Sequence, residues 1–294
     1  MPHASAAGGV RLHYEVTGEG TPLVFVHEFG GDATSWQPQV AFFACRYRVI
    51  TYNARGYPPS DVPEALDAYS QDIAVDDVRV IVEQVAGGPA HVCGLSMGGY
   101  ASLHFGLRYP DLARSIVVAG CGYGSDDPDT FRREADALSA RIERGGMEAV
   151  APAYAEGPTR VQYQRKDPQG WRILADALAR HSTIGSARTL RGVQGRRPTV
   201  YSLEDRLARL TVPALIMTGD EDEPCLEPAL FMKRRIKSAG LVILPNSGHV
   251  INLEEPALFN AAVLEFLTLA ESGRWPARDP RSVGRSSMIP DERR

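Results

Sequence analysis

A serine flanked by glycines is the first group of residues in this chain that could perform covalent chemistry. Gly94-Leu95-Ser96-Met97-Gly98 fits the pattern Gly-x-Ser-x-Gly and lies between an apolar strand-like run and a helical pattern. A serine at a sharp strand-to-helix turn keeps its hydroxyl exposed, and the flanking glycines leave space for the chain to close. The pattern therefore predicts Ser96 as a nucleophile. A tight turn with a solvent-facing serine is the alternative interpretation.

A serine nucleophile needs a base and an acid that orients the base. Of the seven histidines, His249 alone lies in a loop after a predicted strand and downstream of a loop rich in carboxylates. That earlier loop contains Asp220 and Asp222. The Gly-x-x-Asp spacing lets the Asp222 carboxylate reach an imidazole beyond the strand end, so Asp222 is the predicted acid and Asp220 the alternative. His249 is the predicted base, although a polar loop residue that caps the last helix would give the same pattern.

Backbone amides must also face the substrate oxygen that becomes negatively charged during attack. We expect one amide from Met97, which follows the serine, and the other from Phe29 in the segment 27–31 after a predicted strand. His27-Glu28 begins like the zinc-binding pattern His-Glu-x-x-His, but position 31 is glycine, so the second histidine is missing. The sequence has no phosphate-binding loop and no cluster of cysteine and histidine, and it therefore implies no metal, nucleotide or flavin cofactor.

Short apolar runs that alternate with helical patterns must position these residues. The predicted strands are 11–16, 23–27, 48–52, 90–94, 115–119, 213–218 and 241–244, and the predicted helices are 69–85, 97–108, 227–237 and 256–269. Several runs are apolar throughout, as expected for strands that are buried on both faces. The alternation predicts an α/β fold in which helices cover a parallel sheet. The candidate acid and base then lie at the carboxyl ends of strands, where open sheets of this type bind ligands.

The alternation stops between Gly122 and Leu210, where helix-like pieces broken by glycine and proline replace the strands. Structureless loops of that length are rare, so residues 122–210 are predicted to form a helical cap inserted into a core of residues 1–121 and 211–270. The insertion has 15 basic and 12 acidic residues, whereas the core has 11 and 20. This balance fits either an anionic substrate or a solvated surface. Residues 271–294 are predicted to be an extended or disordered tail.

Composition and charge argue against several classes of protein. The 36 acidic and 32 basic residues give a net charge of −4, which is too balanced for a nucleic-acid-binding protein. No apolar run approaches the roughly 18 residues of a membrane span, and the first residues lack the features of a secretory signal. Four cysteines without Cys-x-x-Cys spacing fit reduced thiols. We expect a cytoplasmic protein that binds a small-molecule substrate, but neither nucleic acid nor a membrane; the oligomeric state is left open, and a homodimer is compatible with the sequence.

Taken together, these residues resemble the α/β-hydrolase superfamily over about residues 10–269. The resemblance rests on the segment 27–31, Tyr52-Asn53-Ala54-Arg55-Gly56 with Ser60, the Ser96 turn, residues 219–222, and Ser247-Gly248-His249 with Glu254 and Pro256. The pattern looks most like the capped small-molecule branch that contains enol-lactone hydrolases, meta-cleavage product hydrolases, cofactor-free haloperoxidases and esterases. The resemblance implies an eight-stranded, mostly parallel sheet with the cap over the serine. It also implies a catalytic triad of Ser96, Asp222 and His249, with an oxyanion hole from the N–H groups of Phe29 and Met97.

Two positions depart from the pattern of this family. Glu28 stands where the family usually has glycine, and Asn53 stands where it usually has aspartate. A carboxylate aimed at the oxyanion would oppose catalysis, so Glu28 is predicted to turn away from it, toward Arg55. Serine at position 96 argues against an epoxide hydrolase or a haloalkane dehalogenase, because those relatives use aspartate there.

Three functions fit these predictions. The leading one is hydrolysis of a carboxylic ester or lactone of a small molecule through an acyl-enzyme. The second uses the same triad to hydrolyse a carbon–carbon bond of a vinylogous diketone, and the third is a non-catalytic ligand-binding receptor on the same fold. The candidate substrate contacts are aromatic residues of the insertion that also fit its own core, namely Tyr154, Tyr163, Trp171 and Tyr201.

Overall fold

An eight-stranded sheet forms the centre of the protein in a computed structural model that describes residues 2–283. The strands are β1 (His3–Ser5), β2 (Arg11–Thr17), β3 (Thr21–Val26), β4 (Tyr47–Tyr52), β5 (Ala90–Leu95), β6 (Ala113–Ala119), β7 (Ala214–Gly219) and β8 (Ala239–Leu244). Their spatial order is β1-β2-β4-β3-β5-β6-β7-β8. β2 pairs antiparallel with both β1 and β4, and every other pair of neighbours is parallel. The predicted α/β fold with a mostly parallel sheet is confirmed.

Helices connect the strands and cover both faces of the sheet. They are α1 (Gln37–Phe43), α2 (Gln71–Val80), α3 (Met97–Arg108), α4 (Pro128–Gly145), α5 (Ala151–Ala155), α6 (Val161–Lys166), α7 (Pro168–Ala179), α8 (Thr183–Arg188), α9 (Glu204–Arg209), α10 (Glu223–Arg235), α11 (Ile251–Glu254) and α12 (Pro256–Glu271). The Ser70 side chain accepts a hydrogen bond from the N–H of Ile73 and caps α2, which explains why this helix begins two residues after the predicted start.

Alternate residues of the central strands pack into separate apolar clusters on the two faces of the sheet. Val24 and Val92 pack with side chains of α2, α3 and α10. Leu23, Phe25 and Cys93 pack with side chains of α1 and α12 on the opposite face. A strand covered by helices on both faces has no solvent-facing position, which explains why these strand runs are apolar throughout. Each fully buried aliphatic or aromatic side chain stabilises this core by about 1.5–3 kcal/mol.

Helices α4 to α9 all lie between β6 and β7, and no strand of the described residues falls within 122–210. A third apolar cluster joins Phe29, Tyr57 and Met97 to Ile142 of α4 and Leu178 of α7. The inserted helices therefore pack against the residues next to Ser96. The division of the chain into a core and a cap stays a prediction.

The segment after α12 packs back onto the sheet. The Trp275 ring makes an edge contact with Phe266, with the ring centres 4.7 Å apart, and its indole N–H donates to the Ser238 carbonyl oxygen at 2.7 Å. The first part of the predicted tail is thus anchored through one large side chain. Residues 284–294 of that tail lie outside the described residues.

The four cysteines are free thiols in this structure. Cys93, Cys121 and Cys225 are buried, whereas Cys45 is exposed. Within residues 2–283, no helix has both the length and the apolar character needed to cross a membrane.

Candidate active site

Ser96 lies in the tight turn between β5 and α3. Its backbone angles are φ 55° and ψ −111°. A residue other than glycine rarely adopts such a conformation, which costs about 1–3 kcal/mol and persists only where the surrounding structure imposes it. The Ser96 N–H donates to the carbonyl oxygen of Ala119 in β6 at 2.8 Å and so fixes the turn to the sheet. The serine is therefore held at the end of β5, beside the N-terminus of α3, where negative charge is favoured.

Two glycines permit the close packing of this turn. A Cβ atom on Gly94 would collide with the carbonyl oxygen of Gly98. A Cβ atom on Gly98 would collide in turn with the carbonyl oxygen of Val26 at the end of β3. Both positions flanking Ser96 thus require glycine for steric reasons, which is the reason that the sequence pattern predicts this type of turn.

His249 and Asp222 form a buried hydrogen-bonded pair. The Nδ1 atom of His249 lies 2.7 Å from Oδ2 of Asp222, and the exposed fractions of these residues are 5% and 1%. An ionised carboxylate only accepts hydrogen bonds, so Nδ1 carries the hydrogen and Nε2 of the neutral ring is free to accept a proton. Asp220, the alternative acid, instead accepts a hydrogen bond from the backbone N–H of Ser247 at 3.1 Å.

The loop that carries His249 is fixed by Glu254. The Glu254 carboxylate accepts the backbone N–H of Gly248 at 2.7 Å and that of Val250 at 3.1 Å, on either side of the histidine. Burial raises the pKa of Glu254, and these two hydrogen bonds oppose the increase because they favour the charged carboxylate. The N–H of His249 itself donates to the carbonyl oxygen of Thr159 in the insertion at 3.3 Å. The backbone around His249 is thus held by Glu254 from its own loop and by Thr159 from the insertion.

The segment 27–31 after β3 is also fixed by hydrogen bonds. Nε2 of buried His27 accepts the N–H of Ala54 at 3.0 Å, so Nδ1 carries the hydrogen and donates to the Glu28 carbonyl oxygen at 2.7 Å. The Tyr57 hydroxyl donates to the Phe29 carbonyl oxygen at 3.1 Å. Among residues 2–283, no acceptor takes up the amide N–H of Phe29 or of Met97. Both amides, which were the predicted oxyanion donors, are thus available.

Glu28 is buried, with 1% of its surface exposed, and its side chain does not line the cavity that contains Ser96. Its Oε1 atom accepts a hydrogen bond from the Ser35 hydroxyl at 3.3 Å. The predicted contact between Glu28 and Arg55 is wrong. Instead, Nε and Nη2 of Arg55 donate to the buried carboxylate of Asp77 in α2, at 3.0 and 2.8 Å. That two-point ion pair directs the Arg55 guanidinium to Asp77, and no hydrogen bond or ion pair joins it to Glu28 among residues 2–283.

Asn53, the second departure from the family pattern, joins two loops. Its Oδ1 atom accepts the N–H of Ala33 at 3.0 Å, and its Nδ2 atom donates to the Pro58 carbonyl oxygen at 2.6 Å. An amide side chain can both accept and donate, whereas an ionised aspartate could only accept. Asparagine therefore suits the partners that this chain offers.

Ser96 and His249 line one cavity of about 270 Å³. Every other residue that lines it comes from the insertion: Tyr123, Phe131, Glu134, Ala135, Leu138, Ala153, Tyr154, Gly157, Pro158, Thr159, Arg160, Leu190, Gln194 and Arg197. Burial beside Glu134 raises the pKa of Tyr123, so this phenol is neutral near pH 7. The cavity is mostly apolar with a few charged side chains, which is the usual character of a small-molecule site.

Of the four aromatic residues predicted to contact a substrate, Tyr154 lines this cavity. The other three have different surroundings. Tyr163 is buried in the apolar cluster that includes α12, and the indole N–H of Trp171 donates to the Ala155 carbonyl oxygen at 2.8 Å. The Tyr201 hydroxyl donates to Asp126 at 2.7 Å. The structure therefore does not bring Tyr163, Trp171 or Tyr201 to the cavity.

Two arginines in the cavity were not singled out from the sequence. The Arg160 guanidinium lies 4.4 Å from the ring centre of Tyr154, and the Arg197 guanidinium lies 3.8 Å from that of Tyr100. The excess of basic residues in the insertion is the sequence feature that points to cationic side chains at the cavity. It indicates the segment 122–210 but does not identify Arg160 and Arg197 within it.

One group of residues in the described part of the chain has the side-chain types of a metal site. It consists of Asp222, Cys225 and His249, whose ligand atoms lie within 4.8 Å of one another. Burial and the Asp222 charge raise the pKa of the Cys225 thiol well above its usual range. The short hydrogen bond between the other two residues favours their use as an acid–base pair.

Residues 23–262 match the family model described as the alpha/beta hydrolase family. The chain is 28% identical over 254 residues to 3-oxoadipate enol-lactonase 1 of Acinetobacter baylyi, which covers 85% of this chain and 91% of that protein. It is 26% identical over 273 residues to 2-(acetamidomethylene)succinate hydrolase of Mesorhizobium japonicum, which covers 88% and 92%. The crystal structure of the enol-lactonase from Burkholderia xenovorans is similar, with a TM-score of 0.80 at 25% identity over 91% of this chain and all of that one.

Proposed function

We propose that this chain, which belongs to the alpha/beta hydrolase family, is a serine hydrolase that cleaves a carboxylic ester or lactone of a small molecule through an acyl-enzyme. One observation carries the proposal: Ser96 and His249 line the same cavity, and His249 is hydrogen-bonded to buried Asp222. The relatives named as an enol-lactonase and as a succinate-derivative hydrolase support hydrolysis of small acyl compounds.

In the acylation step, the Ser96 oxygen attacks the carbonyl carbon while Nε2 of His249 takes the hydroxyl proton. The carbonyl oxygen becomes negative and accepts hydrogen bonds from the amides of Phe29 and Met97. The Asp222 carboxylate stabilises the imidazolium that forms. His249 then gives its proton to the leaving alkoxide, so the carbon–oxygen bond breaks and the acyl group remains on the serine.

In the deacylation step, His249 removes a proton from a water molecule as its oxygen attacks the acyl carbon. The same two amides stabilise the second tetrahedral oxyanion. The proton on His249 returns to the Ser96 oxygen when the acyl bond breaks. The products are the carboxylic acid and the alcohol, or the hydroxy acid when the substrate is a lactone.

In this proposal, residues 122–210 act as a cap that selects the substrate. Apart from Ser96 and His249, these residues line the whole of the cavity. A space of about 270 Å³ suits a small molecule better than a long acyl chain.

A second candidate function uses the same residues for hydrolysis of a carbon–carbon bond in a vinylogous diketone. The observation that favours it is the positive charge of Arg160 and Arg197 in the cavity, which suits a substrate that carries a carboxylate. Comparing turnover of a dienol-diketone acid with turnover of simple esters distinguishes the two chemistries.

Hydrolysis of 4-nitrophenyl hexanoate by the wild type and by Ser96→Ala tests the proposal. We expect the variant to lose at least about 10³-fold in kcat, because nucleophile and base act as one unit. Ser202→Ala, which changes an exposed serine of the insertion, is the matched control. Wild-type turnover by a folded Ser96→Ala variant would contradict the proposal.

A further inference from the structure

The guanidinium of Arg160 is buried without an anionic partner. Its exposed fraction is 2%. Within residues 2–283, its one side-chain hydrogen bond runs from Nη1 to the Thr159 hydroxyl at 3.1 Å, and Nε has no acceptor. Arginine stays protonated in proteins, so a full positive charge lies inside the molecule without a carboxylate beside it.

An unpaired buried charge destabilises the folded protein, because the charge loses its hydration and gains no counter-ion. Buried charges are therefore normally paired and hydrogen-bonded. The same chain shows the usual solution at Arg55, where Asp77 engages the buried guanidinium through two hydrogen bonds. The contrast indicates that the Arg160 charge serves a purpose other than stabilising the fold.

The position of Arg160 connects it to the proposed chemistry. The preceding residue, Thr159, accepts the backbone N–H of His249 at 3.3 Å. On the other side, Nη2 of Arg160 lies 2.5 Å from the place that a Cβ atom on Gly30 would occupy, next to the proposed oxyanion donor Phe29. The guanidinium stacks on the Tyr154 ring and lines the cavity that contains the serine. Arg160 therefore lies between the loop of the base and the loop of the oxyanion hole.

The charges of the cavity also favour an anion. Arg160 and Arg197 carry two positive charges there, against one negative charge from Glu134. Arg197 already donates to the Tyr123 carbonyl oxygen at 2.8 Å and to Gln194, which fixes its guanidinium in place. Arg160 keeps unused donors, so it is the cation that can bind a ligand directly.

We propose that Arg160 binds a carboxylate of the substrate, and that this hydrolase acts on small acyl compounds that carry a carboxylate besides the acyl group that is cleaved. The inference rests on the proposed function and specifies its substrate class. The planar fork of guanidinium donors matches the two oxygens of a carboxylate. Binding would supply the counter-ion that the protein does not provide.

Two esters of equal chain length test this proposal. 4-Nitrophenyl hexanoate ends in a methyl group, and the mono-4-nitrophenyl ester of adipate ends in a carboxylate. We expect Arg160→Met to lower kcat/KM for the adipate ester by about 30-fold or more relative to the hexanoate ester, mainly through KM. Arg160→Lys should give a smaller relative loss, because lysine keeps the charge but not the fork.

Arg165→Met is the matched control, because it makes the same substitution at an exposed arginine close by in the chain. We expect this variant to leave the ratio of the two kcat/KM values unchanged. Equal losses for both esters in Arg160→Met would show a purely structural role for the arginine and would overturn the proposal.

A binding measurement keeps the proposal testable if Arg160→Met does not fold. The Ser96→Ala variant retains Arg160 and should bind monomethyl adipate at least about tenfold more tightly than methyl hexanoate in calorimetry. Equal or weaker binding of the carboxylate compound would overturn the proposal.

The same experiments separate this proposal from the proposed function. If the wild type hydrolyses both esters through Ser96 but Arg160→Met does not change their ratio, only the substrate class is wrong. If Ser96→Ala hydrolyses the esters like the wild type, the proposed function fails, and the calorimetric comparison still decides whether Arg160 binds a carboxylate.

Discussion

Replacing Asp222 with asparagine removes the charge next to His249 and changes the side-chain volume very little. Asp222 Oδ2 lies 2.7 Å from Nδ1 of the histidine, and the carboxylate is 1% exposed. In the proposed mechanism the carboxylate has two effects. It holds the imidazole in the tautomer whose Nε2 can accept the serine proton, and it stabilises the imidazolium.

The size of the effect follows from the geometry. Two unit charges 2.7 Å apart attract each other by about 6 kcal/mol at an effective dielectric constant of about 20. Because about 1.4 kcal/mol corresponds to a factor of ten in rate, the loss of this attraction in Asp222→Asn should lower kcat by about 10⁴-fold. An asparagine that donates to Nδ1 would also select the wrong tautomer, which acts in the same direction.

Steady-state hydrolysis of 4-nitrophenyl hexanoate measures the loss, and a thermal melt checks that the variant is folded. Asp220→Asn is the matched control. Its exposed carboxylate accepts the Ser247 N–H and, among residues 2–283, makes no hydrogen bond or ion pair with His249, so we expect less than about a threefold change in kcat. A folded Asp222→Asn variant that keeps more than about a tenth of the wild-type kcat would refute this reasoning. So would an equal loss in Asp220→Asn.

The remaining predictions concern other buried groups. Glu28→Gln should keep kcat within about threefold of the wild type, because the Glu28 carboxylate contacts Ser35 and not the cavity; a folded variant without turnover of the hexanoate ester would give Glu28 a catalytic role instead. Burial lowers the pKa of both His104 and His181 to about 4, from an ordinary value of 6.5. The unfolded chain therefore binds protons below pH 6.5 that the folded chain binds only near pH 4, so stability is fully present above pH 6.5 and is lost as the pH falls to 4. The loss should approach about 3 kcal/mol per histidine in urea unfolding, and identical pH slopes for the wild type and for His104→Gln and His181→Gln would contradict this origin.

The sequence predicts the longer strands of the sheet better than it predicts the short elements β1 and α1. Each predicted strand from 11–16 to 241–244 corresponds to an observed one within about two residues, because long apolar runs bounded by turns have few alternatives. β1 was missed because three residues, His3–Ser5, are too few to show an alternating pattern, and only pairing with β2 makes them a strand. α1 was missed because it is a short helix whose apolar face is defined by packing against α12.

Among the candidate site residues, those defined by a short stretch of sequence could be predicted, whereas one defined by distant segments could not. The Ser96 turn could be predicted because the residues of its pattern lie within five consecutive positions, 94–98. Asp222 could be preferred over Asp220 because the number of residues after the strand end determines whether a carboxylate reaches the histidine. That number can be read directly from the sequence. Arg160 could not be identified, because its burial without a partner results from three separate segments that meet only in the folded protein.

In the proposed function, the oxygen of Ser96 is the nucleophile that His249 activates. An alkyl 4-nitrophenyl phosphonate tests it most directly, since such a reagent bonds to an activated serine and releases 4-nitrophenolate. We predict one equivalent of 4-nitrophenolate per chain and, in peptide mass mapping, a phosphonate on Ser96, with no labelling of Ser96→Ala and much slower labelling of His249→Gln. Labelling of Ser96→Ala at the wild-type rate, or a phosphonate on a different residue of the wild type, would contradict the account.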